Sequence, residues 1–219
     1  MTPALNWEAR LTGDDPDQQV ADTIHLMTGY VREDSSAPVV REAALEAAPD
    51  DDPDMVVEGV FHFVRRLIRF QHDEITAAPL ASRLAKAGLE GVPVVEVLIR
   101  PRDLLTWQQD TGRGPVGDCD DYAMLTAALL RARGVESSFV TVAADPAFPG
   151  QFSHVYVAAY PPSGRIALDT SHGQYPGWEA QGVGRREEWP VGAGLVGLLL
   201  AGLVVWALAG LWIRKWRIV

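Results

Sequence analysis

The chain of 219 residues has a single cysteine, Cys119. It can close no disulfide within itself and cannot build a zinc centre from cysteine sulfur. The thiol is left with two uses: a small apolar packing residue or a reactive nucleophile. Positive charge is also scarce. Lys and Arg number 19 against 29 Asp and Glu, a formal net charge of -10. From Arg185 onward, five basic side chains meet two acidic ones, so residues 1–184 carry -13. Binding to nucleic acid requires clustered Lys and Arg to neutralise phosphates, and a body this acidic excludes it as an expected partner. The opening stretch MTPALNWEARLTGDD has no apolar run, so no secretory signal is expected there. No internal repeat is visible.

One segment lacks charge altogether. Residues 191–213, VGAGLVGLLLAGLVVWALAGLWI, are uncharged throughout. As a helix they would reach about 35 Å, enough to cross a bilayer core. Trp189, Trp212 and Trp216 lie near the ends of the run, and Arg214, Lys215 and Arg217 follow it. The expectation is a single-pass C-terminal membrane anchor over 191–213, with a basic tail at 214–219 and a juxtamembrane linker at 183–190. The basic tail favours a cytoplasmic C-terminus, while Arg185 and Arg186 before the run count against that bias. The sequence leaves the side of the membrane open.

Upstream of that run, hydrophobic periodicity organises the chain into an N-terminal helical segment, 1–52, and a second domain, 53–182. Helices are expected over 17–31 and over the Ala-rich stretch after Ser35 and Ser36. Asp52 as cap and Pro53 at the first helical position open another helix over 54–71. Its stripe of Val56, Val57, Val60, Phe61, Val64, Leu67 and Ile68 reads as packing. Residues 73–93 read as an insertion and VPVVEVLIRP as a strand ended by Pro101. A helix runs from Cys119 to about Arg133, with Gly134 as its left-handed cap. Three strand-like runs follow: VESSFVTVA, SHVYVAAY and GRIALDTS.

The cysteine stands at the start of its helix, where free backbone N–H groups and the helix dipole favour a thiolate. Asp118, Asp120 and Asp121 beside it read as helix-start residues: a cap and two charges that complement the dipole. The base expected to activate the thiol is His154. If the turn PPSG, 161–164, joins the second and third strand-like runs, paired residues have numbers summing to 325. Tyr156 then faces Asp169, and His154 and Asp169 share a face as diagonal neighbours. His154 would take the thiol proton, Asp169 would orient the imidazole, and Cys119 would attack a carbonyl. Candidate donors to the resulting oxyanion are the Cys119 backbone N–H and the side chains of Trp107, Gln108 and Gln109. His172 is a competing base. His25, His62 and His72 read as structural or solvated. The acidic cluster lacks the alternating pattern of a calcium loop, and neither metal nor cofactor is expected.

Together, GDCDDYAMLTAALLRARGV, FSHVYV and GRIALDTS resemble the transglutaminase-like superfamily, a papain-like group of cysteine enzymes. VFHFVRRLIRFQHDE and VEVLIRPRDLL are similar to segments preceding the cysteine in bacterial and bacteriophage members. The resemblance covers roughly residues 55–175. It implies an α+β fold in which a helix headed by the cysteine packs on an antiparallel sheet carrying the His and Asp. It also implies thiol-dependent acyl transfer through Cys119, His154 and Asp169. The acceptor can be water or an amine, and water is always at hand, which favours a peptidase or amidase over a crosslinking enzyme. A protein, a peptide or a peptidoglycan amide fits as substrate. The alternative is a catalytically silent domain for assembly or peptide binding, in a phage-related setting.

Overall fold

A computed structural model describes residues 15–72, 97–180 and 183–192. The fold is α+β. Five helices appear among the described residues: α1 (Pro16–Asp34), α2 (Pro38–Ala47), α3 (Pro53–Leu67), α4 (Pro101–Thr111) and α5 (Cys119–Ala132). Two short strands, β1 (Arg69–Phe70) and β2 (Val116–Gly117), pair in parallel. Four more, β3 (Ser137–Val142), β4 (His154–Ala159), β5 (Ile166–Leu168) and β6 (Arg186–Pro190), form an antiparallel sheet in the order β5-β4-β3-β6.

The helices begin where backbone chemistry directs. Each of α1, α2, α3 and α4 opens on proline, whose missing N–H would have no helical partner anyway. Asp15 and Asp52 cap α1 and α3 by accepting the N–H of Asp17 and Asp54. α5 ends at Gly134, whose φ of 75° is the left-handed conformation expected of it.

α5 is the axis of the molecule. Every residue from Asp120 to Leu130 is buried. A helix apolar on all sides must be enclosed on all sides. Accordingly, α1, α2, α3 and α4 pack against it, as do β3 and β4 of the sheet. The α3 stripe of Val56, Val57, Val60, Phe61 and Val64 is buried in the same core, as expected. Asp34, at the end of α1, is buried too, and Arg100 answers it with Nη2 at 2.6 Å from Oδ1. Removing one partner of such a pair leaves a buried charge uncompensated.

Several expectations are corrected. α3 stops at Leu67 rather than continuing to 71, because Ile68 turns extended and feeds β1. VPVVEVLIRP is not a strand in its described part, 97–100. There the Ile99 N–H is taken by the buried Asp121 carboxylate at 2.7 Å, and Pro101 opens a helix instead of ending a strand. The stretch 73–93 lies outside the described residues.

Residues 183–190 hold β6, which pairs with β3 from Val142↔Arg186 to Ser138↔Pro190, so the expected linker is largely a sheet strand. The expected membrane anchor is corrected as well: among the described residues, no helix is long and apolar enough to cross a membrane. Val191, its expected first residue, is buried in the core and donates its N–H to the Ser137 carbonyl. Trp189 donates its indole N–H to the Thr141 hydroxyl on β3. Residues 193–213 lie outside the described residues.

Gly117 of β2 meets α5 at close quarters. A Cβ there would lie 2.5 Å from Asp121 Oδ2 and 2.7 Å from Asp121 Cβ. Neither neighbour can retreat, since Asp121 is fully buried and bonded. Gly117→Ala is expected to cost about 1–3 kcal/mol, the usual range for overpacking, read as a lower urea midpoint with an unchanged m-value.

Candidate active site

Cys119 is the first residue of α5 and half-buried. The three acids around it have three different jobs. Asp118 caps the helix: its Oδ1 accepts the Asp120 N–H at 3.2 Å. Asp121 reaches back to the Asp118 N–H through Oδ2, which closes a capping box, and through Oδ1 it holds Ile99. These two fulfil the helix-start role expected of them. Asp120 does more. Its Oδ1 accepts from the Cys119 thiol at 3.6 Å, so this carboxylate does turn to the sulfur.

The sheet supplies the other two expected residues. β4 and β5 pair as Val157↔Leu168, Ala158↔Ala167 and Ala159↔Ile166, the register deduced from the turn. His154 opens β4 and Asp169 directly follows β5. Their side chains meet: His154 Nε2 lies 2.8 Å from Asp169 Oδ2. β4 packs on α5, and past β5 the Thr170 hydroxyl lies 2.9 Å from that of Thr126 on the helix.

Asp169 is 1% exposed. Burial alone would raise its carboxyl. The hydrogen bond and charge of His154, the His172 N–H and the Ser171 hydroxyl outweigh that and hold it below its ordinary value. An ionised carboxylate only accepts, so His154 Nε2 must carry the hydrogen. In the neutral imidazole the free lone pair is then on Nδ1.

Behind this pair stands a loop that the sequence marks only faintly. Ser171 Oγ lies 2.9 Å from Asp169 Oδ1, and the His172 N–H donates to the same oxygen at 2.9 Å. The signal for it was a short polar residue two positions past an aspartate, the spacing of a local turn. Gly173 donates its N–H to the Asp169 carbonyl at 2.7 Å, and Arg65 of α3 bonds the Gly173 carbonyl through Nη1. The His172 ring stands edge-on to His154, centroids 4.9 Å apart, and to Phe70 at 5.0 Å. Burial, then the nearby charge of His154, lowers its pKa below the ordinary imidazole value. Tyr122 ties the start of α5 to the end of α3 by donating to the Ile68 carbonyl, and burial pushes its hydroxyl up to about 12.

The oxyanion candidates lie on α4, which packs against α5. Trp107 and Cys119 border the same apolar core, Gln109 is exposed, and Gln108 lies between them in sequence on the same helix. Of the remaining histidines, His25 and His62 are exposed, as expected, and the His72 ring packs edge-on to Phe70. Compared with known protein families and with curated proteins, the sequence matches none.

The Asp169 shift has a stability consequence. Its carboxyl is lowered in the folded state, so its contribution is complete above the unfolded value, near 3.8, and is lost as pH falls through the lower folded value. Asp169→Asn removes that contribution at every pH. The gap in unfolding free energy between wild type and Asp169→Asn is therefore expected to narrow as pH drops below 3.8, measured by urea denaturation across an acid pH series.

Proposed function

We propose that the protein is a thiol-dependent acyl-transfer enzyme with a papain-like, transglutaminase-like core, acting on amide bonds as a peptidase or amidase. The observation that carries this reading is the 2.8 Å contact between His154 and the buried Asp169, on a sheet packed against the helix that Cys119 heads.

In the reaction, His154 Nδ1 accepts the thiol proton and the sulfur attacks the amide carbon. The carbonyl electrons move to oxygen, where the Cys119 backbone N–H at the helix start is a donor. The C–N bond then breaks, the imidazolium returns its proton to the leaving amine, and a thioester remains on Cys119. Water, activated by the same imidazole, adds to the thioester and releases the acid and the thiol. Asp169 fixes the ring and stabilises the imidazolium without itself taking a proton.

One observation favours a second reading. The thiol donates to Asp120 Oδ1, an arrangement that keeps the proton on sulfur, as suits a catalytically silent domain that binds peptides or serves in assembly. Reactivity separates the two. The full chain is incubated with a peptide library, with and without an amine acceptor, and the products are weighed by mass spectrometry. The acyl-transfer reading expects hydrolysed, deamidated or aminated products, and expects Cys119→Ala to lower turnover by at least about a thousandfold. Equal product from wild type and Cys119→Ala, or a thiol inert to acylating probes at neutral pH, would overturn it.

A further inference from the structure

His172 is bound into the site without a part in the chemistry above. His154, Asp169 and His172 each offer a side-chain donor atom, and the three atoms lie within 4.8 Å of one another. We infer that these three side chains form a binding site for a borderline transition-metal cation of the zinc class, separate from the thiol.

Hydrogen bonds orient the three side chains. The Ser171 hydroxyl has one hydrogen, and the ionised Asp169 Oδ1 takes it. Ser171 Oγ must then accept from His172 Nδ1, 2.9 Å away, which leaves the His172 lone pair on Nε2. This serine and the His172 backbone thereby fix the ring tautomer, as outer-shell partners do for metal-bound imidazoles. His154 Nε2 and Asp169 Oδ2 stand 2.8 Å apart with a proton between them. Zinc bonds of about 2.0–2.2 Å to nitrogen and oxygen, in tetrahedral geometry, need their donors about 3.3 Å apart, so the pair opens by only about half an ångström. Two imidazoles and one carboxylate, with a fourth position left to water, suit zinc, cobalt(II) or iron(II) rather than magnesium or calcium, which take oxygen ligands.

Binding there has a chemical consequence that rests on the acyl-transfer reading. With Nε2 on the metal, a neutral His154 ring carries its proton on Nδ1. It then has no lone pair for the thiol proton, so the cation silences the base reversibly. The binding itself does not depend on that reading and is measured without turnover.

The test uses the full chain, free of any polyhistidine tag, with Zn2+ alone in equilibrium dialysis and Co2+ alone as an optical probe. One Zn2+ per chain is expected. His172→Ala should weaken binding at least tenfold, since loss of even an outer-shell partner costs about 10–100-fold, whereas Cys119→Ala should leave it unchanged. In the wild type, zinc should shift the side-chain 15N resonances of both His154 and His172, a readout that requires no variant. Absence of binding, unshifted histidine resonances, unchanged affinity in His172→Ala, or a thiolate-to-cobalt charge-transfer band that vanishes in Cys119→Ala would each overturn the inference. The last would place the cation instead at Asp118, Cys119 and Asp120, whose donor atoms also lie within 4.8 Å of one another.

Discussion

A helix that starts inside a protein must find partners for its first N–H groups without help from water. α5 is such a helix, and the carboxylate of Asp121 is where the molecule meets that demand. With no exposed surface, it accepts from Asp118 on one oxygen and from Ile99 on the other, and it presses against Gly117. Through these contacts the start of α5, the β1–β2 ladder and the approach to α4 are held as one unit. Cys119 has little freedom, because the residues on both sides of it are fixed by that carboxylate and by the Asp118 cap. The four helices around α5 follow from the same constraint, since an axis this apolar must be covered.

The second organising interaction is the one between His154 and Asp169. A buried carboxylate is costly unless its oxygens are filled. Here one oxygen takes an imidazole and the other takes a hydroxyl and a backbone N–H. The loop after β5 therefore closes over Asp169, and it carries His172 to the edge of the His154 ring. Arg65 fastens the same loop to α3, so the far end of the site is tied to the helix that also feeds β1.

Much of this was legible in local chemistry. The turn at 161–164 set the register of β4 and β5, and that register brought His154 and Asp169 together. Asp15 did not stand out in sequence as a cap, but Asp52, Asp118 and Gly134 did, because capping depends on one residue and its near neighbours. What failed were judgements that depend on distant partners. Residues 97–100 have the composition of a strand, yet their one central N–H goes to a side chain on α5. Residues 183–190 look like a linker until β3 is seen to lack a neighbour on that side. Val191 is apolar for the sake of a core rather than a bilayer, and a hydropathy window cannot tell these two environments apart. Asp120 read as a dipole partner, and only its rotamer reveals the sulfur contact.

β6 has a further consequence. Among the described residues it is an outer strand of the sheet, presents Arg186, Glu187 and Glu188 in succession and ends on a proline that has no N–H to offer. The opposite outer strand, β5, has only three residues. Neither border is a good template for a strand from another molecule, because charged side chains, a missing donor and short length all oppose docking. The sheet that carries the histidine is thereby guarded against growing into an aggregate, even at high local concentrations of the chain.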